Sequence, residues 1–338
     1  MANEILVAKS YLMLITESSW GTKPSTPDRI YTPVESYDVR LNVDSRQAKP
    51  HLGIFQRKHM RRFKGMPSGT LVANMYAFEP TPTSGATGSD IGESLAEYLM
   101  NWSMCDEAAT IHEASALPSK TAEWAEGPDT ANKEHNGLRV NQATLSGSAD
   151  SGVLQLSLDL MGKTEVALAT ADALPADVEE LSEMEFANVI FKLDDGAGGA
   201  LSAIELESFE IQVQHALLVR YNNSRSPSLI LKTDRMVTFS VTIDKNADTY
   251  DVVMRNLDPS AEKIYVGELT IQGVNAGTGA AAWTKGIITF NAMEFQDNPE
   301  QGGRDDILQE QLSFICLKPD SSSLDMAIVW STSASAAT

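Results

Sequence analysis

Polar and apolar residues alternate along Val34–Val43, and this period of two predicts a β-strand with one buried face. Tyr37, Val39 and Leu41 fall on the apolar side of that strand. A similar pattern returns 172 residues later in the chain, at Leu206–Val213. Because β-strands often resemble one another, the evidence for an internal repeat has to come from the elements that follow.

The elements after these two strands recur in the same order in both halves of the chain. In the first half we predict a basic insertion (45–69), a strand (Gly69–Phe78), a helix (Ile91–Trp102) and a terminal hairpin (Leu138–Met161). The corresponding elements of the second half are predicted at Leu217–Arg235, Met236–Ile243, Asp244–Leu257 and Leu312–Trp330. The sequence therefore predicts a tandem duplication of one β-rich unit.

Two local signals support the predicted helix of the first half. Asp90 and Glu93 have the spacing of a capping box, which marks a helix N-terminus. Apolar residues then follow at helical spacing, at Ile91, Leu95, Tyr98, Leu99 and Trp102. We therefore expect a helix from Ile91 to about Ser103 that packs its apolar face against the core.

These patterns predict a mainly β fold with two tandem antiparallel β-barrel or β-sandwich units, each with one flanking α-helix. The predicted N-terminal arm is residues 1–30, and the first barrel unit is residues 31–168. Residues 169–200 are predicted to form an acidic linker and the first strand of the second unit. The second barrel unit is then residues 201–338.

The segment after the opening strand locally reverses the charge of the chain. It contains a cluster of cations at Arg57, Lys58, Arg61, Arg62 and Lys64. The corresponding segment of the second half contains Arg220 and Arg225. One interpretation is a solvated loop. The other, which we adopt for these residues, is an electrostatic contact with an acidic surface on another copy of the same protein.

Net charge limits the possible partners. The 338 residues include 26 Lys and Arg against 46 Asp and Glu, a net charge of −20. Residues 1–170 hold 15 basic and 20 acidic groups, whereas residues 171–338 hold 11 and 26. Such a chain would repel a phosphate backbone rather than bind it by counterion release. We expect no secretory signal and no membrane span, because the N-terminus lacks a basic region and no apolar run approaches about 18 residues.

The sequence contains no recognisable catalytic or metal-binding constellation. Asp244, Asn246 and Asp248 resemble the start of a calcium loop, but Thr249 and Arg255 replace the Gly and Glu that calcium needs. The glycine-rich segment 273–279 lacks the Lys-Ser or Lys-Thr of a phosphate-binding loop. We therefore predict a protein that is not an enzyme and that binds no cofactor and no metal.

Together with the predicted repeat, the order of these elements makes the chain resemble the major tail tube proteins of long-tailed bacteriophages. The resemblance rests on the segments 17–22 (Glu-Ser-Ser-Trp-Gly-Thr), 31–36, 65–72, 95–102, 141–148 and 154–162, and it spans most of the chain. The resemblance implies a barrel or sandwich of two antiparallel sheets with one helix, and a long loop that reaches neighbouring subunits. It also implies rings of six such units, stacked into a hollow tube through which the genome passes.

The family resemblance also implies partners and a location. The partners would be other copies of the chain and the tape measure, terminator and distal tail proteins, in a virion assembled in the host cytoplasm. DNA would pass an acidic lumen without specific binding, since negative walls repel phosphates. Because the usual member has one unit per chain, a duplicated chain predicts rings of three copies with pseudo-six-fold symmetry.

Other interpretations of the sequence remain open at this stage. The chain could be another virion component, such as a tail terminator or a capsid decoration protein. It could also be a β-sandwich surface adhesin or sugar-binding module, although no signal sequence is present. A glycosidase on a β scaffold would need two carboxylates facing each other across a cleft, which a sequence alone does not reveal.

Overall fold

Antiparallel β-strands make up nearly all of the regular structure. The computed structural model describes residues 10–42, 65–77, 80–81, 83–84, 91–104, 118–126, 132–168, 182–194, 200–222, 226–244, 264–272, 285–297, 300–301, 309–317 and 326–331. Within these ranges the chain forms 24 strands, one α-helix and one short 3-10 turn. The predicted mainly β class with antiparallel sheets is therefore confirmed.

The first half of the chain contains strands β1 to β12 and helix α1. Their bounds are β1 (Ser10–Thr16), β2 (Arg29–Thr32), β3 (Ser36–Leu41), β4 (Pro67–Asn74), β5 (Tyr76–Ala77), β6 (Pro80–Thr81), β7 (Thr83–Ser84), β8 (Ile91–Ser94), α1 (Leu95–Ser103), β9 (Lys120–Glu126), β10 (Lys133–Ser148), β11 (Leu154–Met161) and β12 (Thr164–Ala167).

The second half contains strands β13 to β24, with the 3-10 turn at Phe186–Asn188. Their bounds are β13 (Ser182–Glu183), β14 (Val189–Leu193), β15 (Ser202–Ile204), β16 (Ser208–Gln214), β17 (Leu217–Arg220), β18 (Leu229–Lys232), β19 (Met236–Asp244), β20 (Ile264–Gln272), β21 (Lys285–Asp297), β22 (Glu300–Gln301), β23 (Gln309–Cys316) and β24 (Met326–Ser331).

Two sets of eight strands have the same pairing scheme. In the first set, β1–β4 with β9–β12, the pairs are β1–β2, β1–β9, β9–β10, β10–β12, β10–β11, β11–β4 and β4–β3. In the second set, β14–β16, β19–β21, β23 and β24, the pairs are β14–β15, β14–β20, β20–β21, β21–β24, β21–β23, β23–β19 and β19–β16. Each strand of the first set thus has a counterpart in the second.

The longest strand of each set carries a bulge at the same point of the scheme. In β10 the pairing with β11 shifts between Val140 and Gln142, and in β21 the pairing with β23 shifts between Phe295 and Asp297. A bulge inserts an extra residue and bends the strand, which lets one strand take part in two sheets. Repetition of the bulge allows the counterparts to be assigned residue by residue, with Gln142 corresponding to Asp297.

A direct pairing between β10 and β16 joins the two sets into one sheet. The resulting strand order is β3, β4, β11, β10, β16, β19, β23 and β21. Burial alternates along these strands, as in β11, where Leu154, Leu156, Leu158 and Leu160 are fully buried and the residues between them are partly exposed. One face of the sheet therefore belongs to the core and the other faces away from it.

Several predicted boundaries differ from the structure. Helix α1 begins at Leu95 rather than Ile91, because residues 91–94 form strand β8 and pair with β6. The strand predicted at Leu206–Val213 begins at Ser208, as β16. Strand β1, which the sequence assigned to an N-terminal arm, is a buried strand that pairs on both edges. The second predicted helix, from Asp244 to Leu257, lies outside the described residues after its first position.

Candidate assembly interface

The contact between β10 and β16 is an antiparallel seam with one apolar and one polar side. On the core side, Leu145 lies opposite Ile211, and both side chains are buried. On the other side, Ser146 lies opposite Glu210. Cross-strand pairs of this kind stabilise a sheet through side-chain packing in addition to the backbone ladder. The seam therefore unites the two strand sets through both hydrogen bonds and core burial.

The extra residue of the β10 bulge, Asn141, fixes one end of the seam. Its backbone oxygen accepts a hydrogen bond from the His215 N–H at 2.8 Å, and its Oδ1 accepts one from the Leu217 N–H at 3.3 Å. The Asn141 amide nitrogen donates to Asp159 Oδ2 at 2.7 Å. His215, which is fully buried, donates from Nε2 to the carbonyl oxygen of Ser103 at 2.7 Å, at the end of α1. These hydrogen bonds connect the seam to the C-terminal end of helix α1.

The two ends of the joined sheet have unpaired edges within the described part of the chain. Strand β3 pairs with β4 alone. Because Asn42 N–H donates to Met66 O, the alternation of an antiparallel ladder directs the backbone groups of Tyr37, Val39 and Leu41 to the outer edge. At the other end, Asp297 and strand β22 pair with β23 only.

A hydrogen-bonded chain of three side chains reaches the open edge of β3. Tyr37 and His135 are joined by a 2.7 Å contact between the phenol oxygen and Nδ1. His135 Nε2 lies 3.3 Å from Glu165 Oε2, and that same oxygen accepts the Leu41 N–H at 3.1 Å. We call Tyr37, His135 and Glu165 the edge triad. The Glu165 carboxylate accepts the Leu41 N–H, which would otherwise be available to the carbonyl group of a neighbouring strand.

Proton positions in the edge triad follow from its chemistry. A carboxylate only accepts hydrogen bonds, so His135 Nε2 carries the proton and Nδ1 accepts from the Tyr37 hydroxyl. Burial lowers the pKa of His135, Lys133 lowers it further, and the nearby Glu165 opposes both effects. Burial, reinforced by Glu165, raises the pKa of Tyr37 well above its ordinary value, which keeps the hydroxyl protonated.

The counterpart positions in the second set are apolar. By the shared pairing scheme, Tyr37 corresponds to Phe209, His135 to Phe290 and Glu165 to Met326. The last two are fully buried, and the ring of Phe290 stacks on another aromatic ring at 4.6 Å between centroids. The fold itself therefore accommodates apolar residues at these places, and the edge triad is a feature of the first set alone.

The face of the joined sheet opposite the core is polar and carries few charges. Its side chains are mainly hydroxyl and amide groups, as in the row Gln142, Thr144, Ser146 and Ser148 of β10. The charged residues among those whose side chains the structure describes on this face of the joined sheet are Asp38, Arg40, Arg139, Asp159, Glu210 and Glu294. Such a surface offers no dense cluster of either sign.

A sequence model of the family described as phage tail tube protein matches residues 7–316. This chain belongs to the phage tail tube protein family. The family is structural rather than enzymatic, and its members self-assemble and join other tail proteins. This tail tube protein is accordingly a virion component. A search of curated proteins gave no match.

Most of the residues predicted from the sequence as inter-subunit contacts fall outside the described part of this tail tube protein. This applies to Arg57, Lys58, Arg61, Arg62 and Lys64 of the first basic segment, and to Arg225 of the second. Arg220 is described, and it is exposed at the end of β17. The assignment of these residues as contacts stays a prediction.

The counterpart of the basic segment in the second half is a hairpin of β17 and β18. One face of this hairpin exposes Leu218 and Leu229, with relative exposures of 45% and 40%. Its opposite face rests on the protein, where Ile230 is buried and its carbonyl oxygen accepts a 2.6 Å hydrogen bond from Arg139. The tail tube protein thus holds the base of the hairpin and leaves its outer face open.

The sequence pattern missed the polar residues that anchor the chain around the first sheet. Glu17 accepts four hydrogen bonds within 2.7 Å, from the backbone N–H groups of Gly21 and Gly137 and from the hydroxyls of Ser119 and Thr121. The Trp20 indole donates to the Gly137 carbonyl oxygen at 3.0 Å. Apart from Gly21, the partners of Glu17 lie 102 to 120 residues away in sequence, so no local motif reveals them. In the described ranges of this tail tube protein, no helix has the length and hydropathy of a membrane-spanning segment.

Proposed function

We propose that three copies of this tail tube protein close a ring and that stacked rings form a channel for phage DNA. In each ring, the β21–β22 edge of one copy pairs with the β3 edge of the next. The observation that supports this most is the seam between β10 and β16. It pairs β10 with β16 within one chain, whereas their counterparts, β21 with β22 and β3, have unpaired edges at the two ends of the sheet within the described residues.

The pairing scheme supplies a register for the proposed contact. Ser146 lies opposite Glu210 in the seam, and their counterparts are Gln301 of β22 and Asp38 of β3. Likewise Gln142 lies opposite Gln214, whose counterparts are Asp297 and Asn42. A neighbouring strand added in this register would extend the existing ladder, which is the β-augmentation mode of recognition.

The contact between chains would be weaker than the seam within a chain. Leu145 contributes a buried side chain to the seam, and its counterpart in β22 is Glu300. At the bulge, the His215 hydrogen bond to Asn141 stabilises the seam, whereas Val43 is the counterpart of His215 in sequence. A weaker contact between chains suits a subunit that folds first and assembles afterwards.

Three chains supply the six strand sets that the family's rings require. A repeated head-to-tail contact closes into a ring when its rotation divides a full turn. The covalent connection raises the local concentration of the second strand set around the first, which favours the internal seam without any new contact. Rings built in this way have three-fold symmetry and a pseudo-six-fold outline.

The polar face of the joined sheet would line the channel. Asp38, Asp159, Glu210 and Glu294 give this face an excess of negative charge over Arg40 and Arg139. This is a less acidic wall than the net charge of −20 led us to expect. A wall of hydroxyl and amide groups with few cations offers DNA little opportunity for counterion release, so it would let DNA pass without binding it.

The remaining contacts of the tube belong to the same proposal. The basic segments, with Arg57, Lys58, Arg61, Arg62, Lys64, Arg220 and Arg225, would contact acidic surfaces of neighbouring copies. Tape measure, terminator and distal tail proteins would complete the tail, which is assembled in the host cytoplasm before it becomes part of the virion.

A designed disulfide tests the proposed ring contact. The variant Asp38→Cys/Gln301→Cys places two thiols at a non-hydrogen-bonded pair of the proposed register, where Cα atoms lie about 4.5 Å apart. We expect mild oxidation of assembled protein to yield covalent dimers and then closed covalent trimers on a denaturing gel. The positive control is Ser146→Cys/Glu210→Cys, which forms the counterpart bond within a chain.

A matched negative control moves one thiol to the neighbouring strand. Asp38→Cys/Gln309→Cys places it on β23, opposite Gln301 and one strand away from the proposed edge. Crosslinking in this control to the same extent as in the test variant, or an absence of crosslinks in the test variant when the positive control reacts, would contradict the proposed ring contact.

A further inference from the structure

The open edge of β3 and its counterpart in β16 differ in what satisfies their backbone groups. In the seam, the N–H of His215 donates to Asn141 O and the N–H of Ala149 donates to Glu207 O, so odd-numbered residues of β16 direct their backbone groups to β10. Val213, the counterpart of Leu41, lies opposite Ala143 in that ladder. The Leu41 N–H instead donates to a side chain, the carboxylate of Glu165.

The residue at the Glu165 position differs between the strand set with an open edge and the set with a paired edge. Glu165 is the counterpart of Met326, which is fully buried in the second set, where the edge of β16 is already paired with β10. The open edge is accompanied by a carboxylate, held by His135 and Tyr37, and the paired edge by an apolar side chain. An unpaired strand edge is a template for association, and inward-pointing charges are one way in which proteins protect it.

We propose that Glu165 is an edge cap that delays self-assembly of this tail tube protein, an inference that rests on the ring contact proposed above. In the free chain its carboxylate holds the Leu41 N–H. When the β21–β22 edge of another copy arrives, a backbone carbonyl takes that N–H and the carboxylate swings away. The cap therefore adds a barrier to the first contact between copies.

Charge strengthens the effect of the cap. The arriving edge contains Glu294, Asp297 and Glu300 in sequence, and their negative charges would repel the Glu165 carboxylate as the edge approaches. The groups that face Glu165 are the neutral His135 and, through it, the protonated Tyr37, while Lys133 is close enough to act on His135. Among the described residues, Glu165 has no ion pair with a lysine or arginine, and its contact with His135 is to a neutral ring.

Replacement of the cap by the residue of its counterpart tests the inference. Glu165→Met removes the acceptor for the Leu41 N–H and reproduces the side chain found at Met326. We expect the lag of polymerisation, followed by light scattering on the purified full-length chain, to shorten about five-fold, the factor that one competing hydrogen bond represents. Glu165→Gln keeps an acceptor oxygen without the charge, and it should shorten the lag by a smaller factor.

Hydrogen exchange provides a second measurement in the unassembled chain. The Leu41 amide should exchange faster in Glu165→Met than in the native protein, while the Val213 amide, which lies within the seam, should keep its rate. The matched control is Asp150→Asn, which removes one negative charge at an exposed turn. If the lag of polymerisation shortens equally in Asp150→Asn, the effect comes from net charge and the proposed role of Glu165 is wrong.

The outcomes separate the cap from the ring contact. If Asp38→Cys/Gln301→Cys crosslinks but the lag is unchanged in Glu165→Met, the inference about the cap is wrong and the ring contact stands. If that pair fails to crosslink while Ser146→Cys/Glu210→Cys reacts, the ring contact itself is wrong. Should Glu165→Met not fold, an unchanged lag in Glu165→Gln overturns the cap in the same way.

Discussion

At the scale of single residues, the first strand set differs from the second by the polarity of a few buried and half-buried positions. The edge triad places a phenol, an imidazole and a carboxylate where the second set has Phe209, Phe290 and Met326. Buried polar groups cost free energy unless every donor and acceptor is satisfied. The triad meets this condition because each member contacts the next and the last accepts a backbone N–H.

A pH-dependent stability follows from His135. Burial lowers its pKa in the folded chain, so the unfolded chain takes up a proton first as the pH falls below about 6.5. More protons bound in the unfolded state means that stability falls with falling pH in this window. We expect the free energy of unfolding, measured by urea denaturation, to drop more between about pH 7.5 and pH 5.5 in the native chain than in His135→Gln.

The glutamine variant is the appropriate comparison because its amide does not titrate and still offers a donor and an acceptor. At about pH 7.5, where His135 is neutral in both folded and unfolded chains, its replacement should change stability only through altered packing and hydrogen bonding, not through protonation. Equal pH dependence in the two proteins would mean that His135 does not contribute to the acid sensitivity.

At the scale of elements, periodicity identified strands but not their partners. The pattern predicted the strand at Met236–Ile243, which is β19, and the hairpin of β10 and β11 at Leu138–Met161, because alternating burial leaves a period of two in the sequence. Alternation says which face of a strand is buried and nothing about which strand lies beside it. The seam between β10 and β16, the bulges, and the edge triad all depend on neighbours distant in sequence.

The start of α1 illustrates the same limit on a smaller scale. Asp90 and Glu93 have capping-box spacing, yet residues 91–94 pair as β8, so a tertiary strand contact overrides the local helix signal. The helix itself follows the predicted apolar spacing, with Leu95, Leu99 and Trp102 buried. The local sequence pattern predicted which face of α1 is buried, but it did not predict the residue at which the helix begins.

The basic segment of the first half is the element on which we base a second assembly prediction. Changing Arg57, Lys58, Arg61 and Arg62 together to Ser should abolish polymerisation, because the positive patch that contacts an acidic neighbour is lost. The folded monomer should persist, with an unchanged circular dichroism spectrum. The measurements are sedimentation and electron microscopy of the purified variant.

A charge-preserving variant controls for the loss of particular side chains. In Arg57→Lys/Arg61→Lys/Arg62→Lys the four cations remain, so the electrostatic contact predicts that tubes still form, with a greater sensitivity to salt where bidentate arginine contacts are lost. Normal tube formation by the serine variant would contradict the prediction that this segment joins subunits.

At the scale of the whole molecule, the repeated pairing scheme converts one chain into two similar but unequal building blocks. The sequence indicated this repetition through the match of Val34–Val43 with Leu206–Val213, and the corresponding strands β3 and β16 occupy the same place in the scheme. The two halves also differ in charge. Residues 1–170 have 15 basic and 20 acidic groups, whereas residues 171–338 have 11 basic and 26 acidic groups.

The symmetry of the tube is the consequence most open to direct measurement. If β21–β22 pairs with β3 of the next copy, each ring contains three chains and six strand sets, with seams that alternate between the type within a chain and the type between chains. Image reconstruction of assembled tubes should therefore give three-fold rather than six-fold symmetry once side chains are visible. At lower detail the ring should look six-fold, because the two strand sets share one pairing scheme.

The alternation of the two kinds of seam should be visible at the bulges, where Asn141 contacts His215 in one seam and Gln296 lies at the corresponding position of the other. Six chains in each ring would contradict this assembly, because the seam within the chain would then have no counterpart between chains.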